Sequence, residues 1–184
     1  LLTGMKFFIL SQWLAHATFF IIKKIRGMVI MAKAVETITV LDDIIQIKLH
    51  KVHKNSVFIA DLFTIISNHN VDIDMISEVM LEEEVDLEIT CGCEFQKELD
   101  QALEEIRNKY EHIVITQNRM VSKVLVEGEG MRNTPGVAAN LFRLFAKVNV
   151  PILQVTTSLT SISYLVNKKD LAIIVEEIKK EYQL

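Results

Sequence analysis

The sequence predicts an α+β fold built from two βαββαβ modules, and a long internal repeat is the main reason for that prediction. Asn70–Ile76 aligns without a gap on Asn149–Val155, 79 positions downstream. At the same offset, apolar residues with helical spacing also align: Phe58, Leu62, Ile65 and Ile66 match Val137, Leu141, Leu144 and Phe145. A constant offset across a helix, a turn and a strand indicates two copies of one supersecondary unit.

Composition is the second observation, and it limits the possible classes of function. The chain has 184 residues, of which 50% are hydrophobic and 24% charged, so it can bury the core of one ordinary domain or of two small ones. Its formal net charge of -4 argues against a general nucleic-acid binder, which would present a basic face.

The cysteines and histidines form no recognisable metal or catalytic pattern. Both cysteines lie in Cys91-Gly92-Cys93 without a second pair, which predicts free thiols in a reducing cytoplasm rather than a zinc site. The histidines show neither nucleophile–base spacing nor metal-ligand spacing; those considered are His50, His53, His69 and His112. We therefore predict no catalytic residue, no metal ion and no cofactor.

Residues 1–33 differ from the rest of the chain and are expected to be a leader outside the fold. The apolar run Phe7–Ile22 is followed by Lys23, Lys24 and Arg26, the reverse of the order in a secretory signal. The run is also shorter than the roughly 20 residues that span a bilayer, so a membrane association is not favoured. The alternatives are an extended reading frame, a poorly packed leader, a membrane-associated helix or a folded part of the domain.

Periodicity assigns the elements of the first copy. Ile45, Ile47 and Leu49 alternate with polar residues, as in a half-buried strand, and Asn55 or Ser56 is suited to cap the helix that follows over 58–66. The remaining predicted elements are strands over 71–75 and 87–90 around a hairpin tip at 82–84, a helix over 95–110 and a strand over 112–116.

The second copy is one strand short. It contains a strand over 124–126, a helix over 137–148, a hairpin of strands 152–157 and 161–166, and a helix over 171–182. A strand over 35–40 precedes the first copy and belongs to neither unit, and an unpaired strand edge is a liability. We therefore predict that residues 34–41 complete the second module (119–184), with the first module (42–118) inserted between them.

Several motifs together resemble the paired ACT domains at the C-terminal end of aspartokinases. The resemblance covers residues 34–184 and is most specific at Gly130–Ala138, with Gln154–Ser158 downstream and Val71–Ile76 in the first module. It implies ferredoxin-like modules and the inserted topology described above. The amino-acid kinase domain of that family, with its aspartate and ATP sites, has no counterpart here.

The same turns favour a small anionic or zwitterionic ligand. Helix N-termini present unpaired N–H groups that attract a carboxylate, Pro135 at a helix start loses no hydrogen bond, and Gly128, Gly130 and Gly136 permit close approach to a ligand. The resemblance implies effector positions in the first module at Asn55, Ser56, Val57, Asp74, Met75 and Ile76. In the second module it implies Asn133, Thr134, Pro135, Gly136, Val137 and Gln154. The first module has Asn55-Ser56 where many ACT domains have Pro-Gly.

Together with these turns, the resemblance implies a non-catalytic, cytoplasmic module that senses an amino acid, lysine or threonine, in aspartate-family biosynthesis. We expect a homodimer or a complex with a catalytic aspartokinase subunit. We also expect a composite site in which the turn of one module faces the second strand of the other, which carries Asp74 in the first module, either within one chain or across a dimer. The alternative is a regulatory subunit or C-terminal part of an aspartate kinase whose catalytic domain is encoded upstream; automated naming as aspartate kinase would follow from the same resemblance.

Overall fold

The computed structural model describes residues 33–184, which form a six-stranded antiparallel sheet in the order β2-β3-β1-β4-β6-β5. The strands are β1 (Thr37–His53), β2 (Met75–Met80), β3 (Glu84–Gly92), β4 (Val114–Glu127), β5 (Gln154–Thr157) and β6 (Ser161–Asn167). The helices are α1 (Ser56–Asn68), α2 (Gln96–Lys109), α3 (Val137–Lys147) and α4 (Leu171–Tyr182). The predicted leader lies outside the described residues.

The first module has the strand order β2-β3-β1-β4 of a ferredoxin-like fold. Residues 44–53 of β1 pair with β3 on one side and with the first part of β4 on the other. Helices α1 and α2 cover one face of this half-sheet and bury Leu62, Ile66, Leu99, Leu103 and Ile106 against its apolar side chains.

The second module is completed by the start of β1, as predicted. Residues 37–41 pair with residues 123–127 of β4, which pairs in turn with β6, and β6 pairs with β5. Before β1, the N–H of Glu36 donates to the carbonyl of Glu127 over 2.7 Å. Helices α3 and α4 cover this half-sheet and pack Leu141, Phe145, Ile174 and Ile178 against Tyr164. The α+β fold with an inserted first module is therefore confirmed.

Two long strands join the modules and replace four shorter strands that the sequence predicts. The strand before residue 41 and the one after residue 44 form one strand, β1, with irregular pairing between Leu41 and Gln46. The predicted strands over 112–116 and 124–126 likewise form β4. The two long strands pair with each other on both sides of the polar residues Asp42, Asp43 and Arg119, and the register shifts at this point do not end either strand.

The repeated asparagine marks where each first helix ends. Asn70 and Asn149 adopt left-handed φ angles of 59° and 54°, which asparagine tolerates better than most residues. The next residues, Val71 and Val150, donate their N–H groups back to carbonyls of the helix. The predicted strand starts at 71 and 152 are therefore wrong: pairing begins only after this helix cap, and the strands start at Met75 and Gln154.

The sheet curls until its two edge strands meet. Cα atoms of β2 and β5, at opposite ends of the strand order, approach within 8 Å. We use the term inner faces for the sheet surfaces opposite the helices. Contacts between the modules through Lys123 and Gln154 show that the inner faces of the two modules lie against each other.

Candidate functional site

The turn between β1 and α1 forms one predicted effector region. Asn55 caps the helix as predicted, because its side-chain oxygen accepts a hydrogen bond from the N–H of Val57 over 2.8 Å. The first turn of α1 contains no acidic residue that would neutralise its positive end. A cleft of about 460 Å³ opens beside it, and we call it the β1–α1 cleft. It is lined by Lys54, Asn55, Ser56, Ile59, Ala60, Glu78 and Met80.

Its chemistry suits a carboxylate. Lys54 supplies a cation at the helix N-terminus, while Ile59 and Met80 provide apolar walls. Val57 is 77% exposed and lies at the start of the helix, so its side chain is available to a ligand or to a second chain.

The corresponding turn of the second module is built differently. A 3₁₀ turn over Glu129–Asn133 is followed by Thr134, whose N–H donates to the carbonyl of Met131, and by Gly136 with a φ of 91°. Helix α3 starts at Val137, so Pro135 lies two residues before the helix rather than at its first position. Val137 is buried in the module core, and the N-terminus of α3, like that of α1, has no acidic residue in its first turn.

Two of the glycines expected to approach a ligand instead contact the chain itself. A Cβ on Gly128 would lie 2.4 Å from the carbonyl oxygen of Ala34, and the N–H of Gly130 donates to the carbonyl of Lys33. These glycines accommodate the completing strand. Gly136, by contrast, faces open space, with no atom within 4 Å of a Cβ placed there.

Asp74 lies far from the β1–α1 cleft within the first module. Both β1 and β2 run antiparallel to β3, so they are parallel to each other, and Met75 and Gln46 both pair with Thr90. Asp74 is therefore at one end of the half-sheet and Asn55 at the other. Met75 is buried and its N–H donates to the Thr90 hydroxyl over 3.0 Å, whereas Ile76 is half exposed.

The carboxylate of Asp74 is paired with Lys123 of β4. The ammonium nitrogen Nζ lies 2.6 and 2.8 Å from the two carboxylate oxygens. The Lys123 side chain is 8% exposed and that of Asp74 is 34% exposed. Asp74 also borders a second cleft of about 510 Å³ with four other acidic residues, namely Asp42, Asp43, Asp72 and Glu94.

Among the predicted effector residues of the second module, Gln154 lies on the inner face. It is 5% exposed, and its Nε2 donates to the backbone carbonyl of Glu88 in the first module over 3.3 Å. Its Oε1 atom is buried without a hydrogen-bond partner. Asp74 and Gln154 thus come from different modules, and each contacts the opposite one.

Two titratable groups outside these clefts have pKa values that their surroundings shift. Asp61 accepts hydrogen bonds from Lys109 and Tyr110, which hold the pKa of its carboxyl below the ordinary value. Burial raises the pKa of the Cys91 thiol to about 12.

Within residues 33–184, no group of three or more His, Cys, Asp or Glu side chains is placed to hold a metal ion. No helix in this part of the chain is long and apolar enough to cross a membrane.

Sequence reasoning missed Lys123, Lys54 and the acidic lining of the second cleft. The signal for Lys123 was present, since it is the single charged residue in the apolar stretch Val121–Val126. Its partner, 49 positions away, depends on how the sheet curls and has no signature in the local pattern.

Comparison with known proteins shows what the chain is similar to. Residues 124–182 match the family model described as an ACT domain. Aspartokinase 2 of Bacillus subtilis is 26% identical over 143 residues, which are 78% of this chain and 35% of that protein. The chain thus spans about a third of the length of this curated relative.

Solved structures show the same architecture. The crystal structure of aspartokinase α and β subunits superposes with a TM-score of 0.74 at 24% identity, covering 82% of this chain and 99% of that one. The regulatory subunit of aspartate kinase from Thermus thermophilus gives 0.73 at 21% identity, covering 79% and 97%. Escherichia coli aspartokinase III in complex with lysine and aspartate gives 0.61 at 16% identity, covering 82% and 34%.

Proposed function

We propose that this chain, which is a pair of ACT domains of the aspartokinase regulatory type, is a non-catalytic sensor of an amino acid, with lysine or threonine as the effector. One observation supports this above the others: the inserted two-module sheet of this chain corresponds to nearly the whole of a regulatory subunit, 97% of its length. A similar chain in E. coli aspartokinase III is described in complex with lysine.

The geometry favours an effector site shared between two chains. A free amino acid needs a partner for its carboxylate and another for its ammonium group. The helix N-termini at Asn55 and Gly136 suit the carboxylate, and Asp74 suits the ammonium. Within one chain Asn55 is at the other end of its half-sheet, and Asp74 meets β4 at Lys123, four residues before that strand ends. A second copy of the chain would bring a helix N-terminus to Asp74.

A thermal-shift screen of the twenty amino acids, followed by calorimetric titration, tests the proposal. An effector at 100 times its dissociation constant should stabilise the protein by about 2.7 kcal/mol. Sedimentation with and without effector checks the dimer. Lys54→Met should weaken binding if the β1–α1 cleft receives the carboxylate, and Lys180→Met on α4 serves as the matched control. A folded protein that binds no amino acid would contradict the proposal.

The alternative is that the chain is the regulatory part of a longer aspartate kinase. The matched segment covers 35% of aspartokinase 2 of Bacillus subtilis, so that protein is nearly three times as long as the segment. Western blotting of the natural product separates the two forms by size. In either case we expect the chain alone to form no aspartyl phosphate from ATP and aspartate, and detectable formation would contradict the non-catalytic role.

A further inference from the structure

Two of the twelve predicted effector positions already contact the opposite module. Asp74 of the first module holds the ammonium group of Lys123, and Gln154 of the second module donates to the carbonyl of Glu88. Both contacts cross between the inner faces. The residues expected to recognise an amino acid are therefore the residues that hold the inner faces together.

Lys123 presents to Asp74 the same chemical group that an effector would present. A primary ammonium contacts both carboxylate oxygens at 2.6 and 2.8 Å, within the range of a charge-assisted hydrogen bond. Lys123 is 7% exposed, and a buried ammonium requires a paired anion. The Lys123 ammonium neutralises the charge of the Asp74 carboxylate, so a second ammonium gains less by binding there and competes with Lys123 for that charge.

Gln154 is an independent indication that the contact between the inner faces is not fully satisfied. Its Oε1 atom is buried and has no hydrogen-bond partner, which costs free energy relative to a bonded state. An N–H or O–H donor on a ligand would satisfy it. Gln154 takes no part in the Asp74–Lys123 pair.

We propose that Lys123 is an internal competitor of the effector, so that an amino acid binds Asp74 and Gln154 only when the inner faces of the two modules separate. The inference rests on the proposed function and adds its regulation. By linkage, any interaction that stabilises the closed inner faces weakens effector binding, and the effector in turn favours their separation. Ligand recognition is thereby converted into a change of module arrangement at β2 and β5 without any chemical step.

Calorimetric titration of the Lys123→Met variant with lysine and with threonine tests the competition. Methionine retains an apolar stem but removes the ammonium group, so the variant should bind the effector about tenfold more tightly than the wild-type protein. Lys109→Met removes a lysine from an exposed pair with Asp61 and is the matched control, with unchanged affinity expected. Lys123→Arg, which keeps a cation near Asp74, should remain close to wild type.

Hydrogen exchange on the wild-type protein provides a second test that requires no variant. Saturating effector should speed exchange of the amides of β2 and β5, where the modules meet, and leave the amides under α2 unchanged. Unchanged affinity in a folded Lys123→Met variant, or unchanged exchange at β2 and β5, overturns the competition while leaving the proposed function intact. Absence of amino-acid binding by the wild-type protein overturns the proposed function itself.

Discussion

The two sides of the sheet bury different kinds of side chain. The outer faces, which the helices cover, bury apolar side chains, whereas polar side chains are buried between the inner faces. The outer cores of the two modules contain residues such as Ile47, Leu103, Leu141 and Phe145, all almost inaccessible to water. The inner faces contain the buried polar residues Gln46, Thr90, Lys123, Gln154 and Ser163. A smaller apolar cluster of Ile44, Val121 and Leu165 lies at the junction of the modules.

We expect the two sides of the sheet to control different properties, namely the folding of each module and the arrangement of the two modules. Apolar burial is favourable in almost any arrangement that excludes water, whereas a buried polar contact depends on one set of partners. The outer cores should therefore determine whether each module folds, and the inner faces should determine how the modules are arranged. A substitution on each side can break or sharpen this distinction.

The largest effect is expected in an outer core. Leu103→Ala removes a fully buried side chain from the first module and leaves a cavity beneath α2. Such substitutions cost about 2 to 5 kcal/mol of unfolding free energy. Urea denaturation monitored by circular dichroism measures the loss, and Leu81→Ala, at an exposed position just after β2, is the control. A loss below about 1 kcal/mol would show that the outer core does not determine folding.

The next effect belongs to the inner faces. Asp74→Ala leaves the Lys123 ammonium buried without its anion, which costs up to about 3 kcal/mol, since partial exposure of Asp74 lets water relieve some of the penalty. Asp61→Ala breaks the more exposed pair with Lys109 and should cost clearly less, because water screens an ion pair at the surface. Urea midpoints compare the two variants, and equal losses would remove the distinction between the pairs.

This prediction also changes how an affinity measurement on Asp74 must be interpreted. From the sequence, we expect Asp74 to contact the ligand, so that its loss weakens ligand binding. In the structure its loss also disturbs the contact between the modules, so Lys123→Met is the more specific probe of the site.

More of the fold than of the site could be predicted, because the signals for the fold lie in the local sequence or in the number of predicted strands. The repeat, the capping role of Asn55 and the missing strand of the second copy are all readable along the chain, and residues 34–41 could be assigned by strand count. The fusion of strands into β1 and β4 was not predicted, because Asp42-Asp43 and Asn118-Arg119 resemble loop residues. The site depends on contact between the inner faces of the two modules. That contact follows from the curvature of the sheet, which leaves no periodic pattern in the sequence.

A smaller effect compares the two helix starts. Gly136 has a left-handed φ of 91° with open space around its Cα, so Gly136→Ala should lose about 1 to 2 kcal/mol through backbone strain alone. Asn55→Ala removes the side-chain cap of α1 and should lose about 1 kcal/mol. Thermal unfolding measures both. If Gly136→Ala were neutral while Asn55→Ala was costly, the second turn would not be constrained by its backbone.

The smallest expected effect is the acid sensitivity of the exposed pair on the outer surface. Hydrogen bonds from Lys109 and then Tyr110 hold the pKa of Asp61 below its ordinary value of 3.8. A carboxyl whose pKa is lowered in the folded state adds stability above its ordinary pKa and loses it as pH falls through the lowered value. Urea midpoints of the wild-type protein should therefore decline below about pH 4 more steeply than those of Asp61→Asn. Lys109→Met removes the cation but keeps the Tyr110 hydrogen bond to Asp61, so it should flatten the curve only in part. Parallel curves for all three proteins would show that the pair adds nothing measurable, and the contrast with the buried Asp74–Lys123 pair would then be at its largest.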